Sequence, residues 1–155
     1  MSNAMTGKHY QLYRPLSAWL LAIVGASMIL IGAYFIFVRP PLLSEDLLYM
    51  GTSREQLQAI VPKLVLWRGW VFTVLGGYVV GTGVRLVHLA LGALADRKPH
   101  AALVATLAGS FTIGLMSVVN LVIDSHFKFV LLALAAVWVA ALVCYGRKPG
   151  IRSAQ

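Results

Sequence analysis

From Leu16 to Val38 the chain carries no charged residue. As a helix rising ~1.5 Å per residue, such a stretch crosses the ~30 Å hydrocarbon core of a bilayer. Three more apolar stretches follow, at Trp67–Leu94, Ala101–Ile123 and Phe127–Tyr145. In lipid every backbone N–H and C=O must be satisfied internally, which leaves helices for spans of this kind. The expected fold is therefore all-α, a four-helix transmembrane bundle forming one integral membrane domain over residues 1–155.

Composition closes off the soluble alternative. A soluble domain carries roughly 25% charged residues to cover its surface, whereas this chain has 12%, with 59% hydrophobic residues. Its mean hydropathy is +0.81. The net charge of +8 invites a nucleic-acid reading, but binders of that kind gather Lys and Arg on one face. Here the bases flank the apolar stretches, as membrane-edge residues do. No nucleic-acid partner is expected. Cys144 is the single cysteine, so an internal disulfide, a C-x-x-C pair and a thiolate metal cluster are all excluded.

The first apolar stretch follows Lys8 and Arg14 and so resembles a signal peptide. Signal h-regions run about 7–15 residues and end at small residues, whereas this one ends in Tyr34-Phe35-Ile36-Phe37-Val38-Arg39-Pro40-Pro41. It is expected to remain as a helix. Met1-Ser2-Asn3-Ala4 reads as a vector remnant ahead of a native start at Met5.

Orientation follows the positions of the bases. Lys8, Arg14, Arg97, Lys98, Arg147, Lys148 and Arg152 fall on one side against Asp96 alone. Arg39, Arg54, Lys63, Arg68 and Lys128 fall on the other, diluted by Glu45, Asp46, Glu55 and Asp124. Both termini are expected on the cytoplasmic side of a bacterial inner membrane. Tyr10, Tyr13, Trp19, Trp67, Trp70 and Tyr145 sit near span ends, at headgroup level. Trp138 falls in mid-span and must face lipid or another helix.

The outer loop between the first two spans carries helix signals of its own. Pro40-Pro41 stops the first span. Ser44 reads as an N-cap with Glu45 and Asp46 in the first turn, and Gly51 as a C-cap. Ser53 and Gln56 have capping-box spacing and open a short helix with Leu57, Ile60 and Val61 on one side. Two short amphipathic helices on the outer membrane surface are expected, either sealing the bundle or forming a lid.

The run Arg39-Pro40-Pro41-Leu42-Leu43-Ser44-Glu45-Asp46-Leu47-Leu48-Tyr49-Met50-Gly51 resembles the outer loop of a family of uncharacterised proteobacterial four-span inner-membrane proteins. The resemblance covers the first two spans, and the family has proline where this chain has Ser44. It implies the architecture and a bacterial origin. It carries over no catalytic residues.

Helices in lipid pack through small residues. Gly77 and Gly81 form a G-x-x-x-G in the second span, and Ser110 and Gly114 repeat the spacing in the third, extended by Thr106 and Ser117. Ala18, Ala22 and Ala26 make a similar row in the first. The glycines of the second span also hint at a phosphate-cradling loop, but that needs a strand before it and a helix after.

Charges within the membrane are costly and mark candidate sites. Arg85 and His88, three residues apart, share a face of the second span. The stretch Gly69–Val84 between Arg68 and Arg85 spans ~24 Å as a helix, so both arginines can snorkel to opposite headgroup layers. The other reading turns Arg85 into the bundle, beside Thr106 and Ser110, to hold a lipid phosphate or an anionic ligand. Asp124 cannot serve as its partner, lying roughly 20 Å away along the membrane normal. His88 and His126 are at opposite depths, so they cannot ligate one haem. Asp124-Ser125-His126 is a tight turn in which adjacent side chains point apart, with Asp124 capping the last helix.

Three functional classes follow. The first is a non-catalytic bundle that binds membrane lipids or a small apolar ligand, or serves as a homo-oligomer or a partner membrane protein's subunit. The second is a small oligomeric transporter for an anionic or amphipathic substrate using Arg85. An enzyme is the third, with a thin inventory: no H-E-x-x-H, no G-x-S-x-G and no paired carboxylates within the spans. No cofactor, metal site or catalytic residue is expected.

Overall fold

The computed structural model describes residues 15–147. The bases Lys8, Arg14, Lys148 and Arg152, the rings of Tyr10 and Tyr13, and the segment Met1 to Ala4 lie outside the described residues. Among the described residues six helices form: α1 (Leu16–Phe37), α2 (Ser44–Met50), α3 (Arg54–Ile60), α4 (Leu64–Leu94), α5 (Ala101–Val122) and α6 (Lys128–Gly146). Of these, α1, α4, α5 and α6 are long and apolar enough to cross a membrane. The protein is an all-α bundle with four candidate spans. Ile23, Leu30, Phe111, Val118, Val130 and Val139 all lie exposed on its sides, a surface suited to lipid and costly in water.

Local chemistry sets the ends. The Tyr34 carbonyl accepts from both Val38 and Arg39 N–H groups, and Pro40, lacking a donor, prevents a further turn. Gly51 takes the left-handed conformation, φ 65°, that ends α2. Ser53 and Gln56 close the expected capping box around α3. The expected cap of α2 is corrected: Ser44 is already helical, and the Asp46 carboxylate accepts from the Leu43 N–H at 3.0 Å instead.

α1 and α4 run antiparallel and form the tightest pair. A Cβ added to Gly25 would lie 2.8 Å from the Gly83 carbonyl oxygen, and one added to Gly83 would lie 2.6 Å from that of Gly25. Gly32 and Gly76 repeat the relationship two turns away, at 2.6 and 2.7 Å. Gly77 and Gly81 do not make this contact, since an added Cβ at either meets open space. At 3.6 residues per turn, the α1-facing stripe passes through Gly76, Val80, Gly83 and Val87, and the other two glycines are rotated roughly 100° or more away. The alanine row of α1 drifts in the same manner, from buried Ala18 to exposed Ala26.

α5 packs on α6 through a different device. Its buried positions are Ala101, Ala105, Gly109, Ile113 and Ser117, every fourth residue. An ideal α-helix would let that series drift round the axis; a π-helical turn at Ser110–Gly114 is wider and takes up the drift. Ser110 and Gly114, one residue further on, miss the packing face: Ser110 is exposed, and Gly114 meets only its own helix. The close approach is made by Gly109, whose missing side chain leaves room for the indole of Trp138. Trp138 thus faces a helix, and its Nε1–H donates to the Ala105 carbonyl at 3.1 Å.

The apolar core, with Leu21, Val24, Met28, Leu86, Ala90 and Leu94 at its centre, lies toward the end where α1 begins and α4 finishes. The opposite end, under α2 and α3, is held by charge.

Candidate functional site

The residues singled out by the sequence do not form one site. Arg85 and His88 are both exposed on α4, on the side turned away from α1. Of the two readings of Arg85 the structure takes the outward one, because α4 turns Gly83, Leu86 and Ala90 inward instead. Thr106 is half-buried and spends its hydroxyl on the Ala102 carbonyl at 2.8 Å. Ser110 is exposed. Among the described residues, no acid forms an ion pair with Arg85.

The concentrated chemistry is at the loop end, where two adjacent acids of α2 are buried. Asp46, 6% exposed, takes Arg68 of α4 at 3.0 Å and Arg39, just beyond α1, at 3.5 Å. The Arg39 guanidinium also lies over the Phe72 ring, 3.6 Å from its centre, with Phe35 on another side. Cation–π contact suits a cation withdrawn from water. Burial lowers the Arg39 pKa, with the like charge of Arg68 adding to it, while Asp46 works against both. Arg54 of α3 donates to the Leu42 carbonyl and draws the second loop helix to the same cluster.

Glu45, 8% exposed, points the other way, to the turn between α5 and α6. Its carboxylate accepts from the Ser125 hydroxyl at 3.1 Å and meets His126 Nδ1 at 3.2 Å. Burial pushes this carboxyl up, but hydrogen bonds, first that from His126 and then those from Ser125 and the backbone, help to hold it below its ordinary range. The first turn of α2 thereby ties α1 and α4 to α5 and α6.

Ser, His and a carboxylate in contact invite a triad reading, which the geometry rejects. In a triad the imidazole stands between hydroxyl and carboxylate and removes the hydroxyl proton. Here the carboxylate stands in the middle, and Ser125 Oγ also accepts from the Phe127 N–H at 3.2 Å. The role expected of Asp124 is corrected: Phe127 stands at the N-cap position of α6 with no side-chain cap, and Asp124 does not supply one. Asp124, at φ 54°, is exposed and pairs with Lys128 one turn on, which holds its pKa down.

A cleft of about 470 Å³ opens between α2 and this turn, lined among others by Glu45, Tyr49, Val122, Asp124, His126 and Lys128. Among the described residues, no three His, Cys, Asp or Glu side chains gather as metal ligands would.

Sequence reasoning named Glu45 and Asp46 only as dipole partners of a short helix. The available signal was a pair of adjacent acids in a loop flanked by Arg39 on one side and Arg68 on the other. No family model matches the chain, and neither a curated protein nor a solved structure matches it.

Proposed function

We propose that the protein is a non-catalytic membrane bundle that binds anionic lipid on the outward face of α4, with Arg85 and His88 as the headgroup contacts. The observation supporting this is the exposure of Arg85 without an acidic partner among the described residues. Arg68 is held at the loop end by Asp46, and Arg85 lies ~25 Å further along α4, near the thickness of the hydrocarbon core. A guanidinium at that depth meets lipid phosphates, which it binds through paired N–H donors. Gly77 and Gly81 leave a furrow on the same side of the helix, suited to an acyl chain. An anion carrier built on Arg85 would need a second copy to enclose it.

The termini belong on the cytoplasmic side of a bacterial inner membrane in this reading, which puts Arg85 and His88 toward the cytoplasmic leaflet. The membrane setting rests on the family resemblance, the orientation on the distribution of bases. Native mass spectrometry of the detergent-purified protein tests the lipid reading. The wild type should retain anionic phospholipid, and Arg85→Ala with His88→Ala should reduce that retention about tenfold without changing helicity. Equal retention would overturn it.

The open G-x-x-x-G furrow favours a second reading, in which another copy or a partner membrane protein packs there. Gly81→Leu would then shift the oligomeric mass, whereas a lipid furrow would leave the mass unchanged.

A further inference from the structure

The cleft at the loop end has a composition that the lipid reading of α4 does not use. Val122 is the last residue of α5 and Phe129 lies in the first turn of α6. The cleft therefore sits where two spans leave the apolar layer, at headgroup depth. Its apolar wall is unusually open: Val122 is 64% exposed and Phe129 70%, with Leu48 and Tyr49 of α2 exposed beside them. Its polar rim carries both signs of charge, Glu45 and Asp124 against Lys128, with the His126 ring beside them.

These charges are unequally committed. Glu45 is buried and spends both oxygens on Ser125 and His126. Asp124 has 83% of its side chain exposed and meets Lys128 alone. A carboxylate has four acceptor directions, so Asp124 keeps most of its accepting capacity while standing at the cleft's edge. His126 engages Glu45 through Nδ1, which leaves its other ring nitrogen unused among the described contacts. An occupant suited to this rim carries a hydrogen-bonding cation and an anion close together, and its tail lies along the apolar wall.

We infer that the cleft between α2 and the α5–α6 turn is a binding site for a zwitterionic phospholipid whose headgroup ends in a primary ammonium. The ammonium donates to Asp124, the phosphate accepts from Lys128, and an acyl chain runs down past Val122 and Phe129. Two carboxylates at the rim work against a net-anionic headgroup, which separates this ligand from the one assigned to Arg85. A primary ammonium offers three N–H donors; a trimethylated one offers none, so Asp124 tells the two apart. The inference shares the membrane placement of the spans with the reading of Arg85, but it uses other residues at the opposite end of the bundle.

The experiment measures lipid binding by native mass spectrometry with the full chain in detergent. The probes are phosphatidylethanolamine, phosphatidylcholine and phosphatidylglycerol of the same acyl composition. Binding to phosphatidylethanolamine should exceed that to phosphatidylcholine by about tenfold, the difference a charge-assisted hydrogen bond supplies. Asp124→Asn, a residue tolerant of the left-handed conformation, should bring the ratio near unity. Lys128→Gln should weaken both lipids alike and keep the ratio, which guards against a folding effect at one position. Equal binding of the three lipids by the wild type would overturn the inference, as would an ethanolamine preference that survives Asp124→Asn. Arg85→Ala with His88→Ala should leave the preference intact, so the two lipid sites succeed or fail separately.

Discussion

Ser125 donates its hydroxyl to the buried carboxylate of Glu45, joining the first turn of α2 to the turn between α5 and α6. The adjacent Asp46 holds Arg39 and Arg68 on the other half of the bundle. Two consecutive acids therefore close the loop end as a clamp.

The Glu45 half of the clamp should respond to acid. Folding depresses the Glu45 pKa, so the unfolded chain binds the proton first as pH falls. The stabilisation is fully present above the unfolded value of ~4.3 and is lost as pH drops through the lower folded one. Asp124 and Glu55 are depressed too, so the readout is a difference between variants. Thermal unfolding in detergent from neutral pH to about pH 3 should show wild type and Glu45→Gln converging. A constant gap across that range would contradict the assignment.

The Asp46 half should be the more sensitive to mutation. Asp46→Asn leaves two guanidinium groups, one of them only 9% exposed, facing each other without a carboxylate. Removing one partner from a buried ionic contact costs about 3–5 kcal/mol, because the remaining charge stays withdrawn from water. Limited proteolysis between α1 and α4 should accelerate accordingly. Arg54→Ala, which loses a hydrogen bond to the Leu42 carbonyl, should cost about 1–3 kcal/mol, by the same assay and in the same direction.

Glycine substitutions should separate sharply by position. Gly76→Ala and Gly83→Ala put a methyl group against a backbone carbonyl of α1, which cannot rotate aside. Overpacking of this kind costs about 1–3 kcal/mol. Gly77→Ala and Gly81→Ala meet open space and should leave thermal stability unchanged or slightly raised through better helix propensity. Melting curves of the four variants in one detergent decide it, and a loss at Gly77 equal to that at Gly76 would refute the packing.

Trp138 and Gly109 form one unit. Trp138→Phe deletes the bond to the Ala105 carbonyl and should cost about 1 kcal/mol. Gly109→Ala collides with the indole and should cost more. Combining it with Trp138→Leu should recover part of the loss, since the obstacle is gone. Full additivity in that double-mutant cycle would show that the two positions do not touch.

Helix number, span positions and the loop caps at Gly51 and Ser53 were legible from residues alone. The reason is that bilayer thickness and backbone hydrogen bonding act on each segment separately. Which face of each span meets another helix was not. The stripe through Gly76 and Gly83 and the competing stripe through Gly77 and Gly81 are equally glycine-rich, and only the docking of α1 chooses between them. In α5 the packing row runs through Ala105 and Gly109 and not Ser110, and a π-helical turn keeps Ile113 and Ser117 on it. Arg85 faced outward for the same reason: the inward direction on α4 was already taken by Gly83, Leu86 and Ala90. The pairing of Glu45 with Ser125 joins residues far apart in the chain, and no local pattern encodes it. Sequence alone determined that this chain builds four apolar helices joined by a capped loop. Tertiary structure decided which surfaces they share, because the rotation of a helix about its axis is fixed by its neighbours.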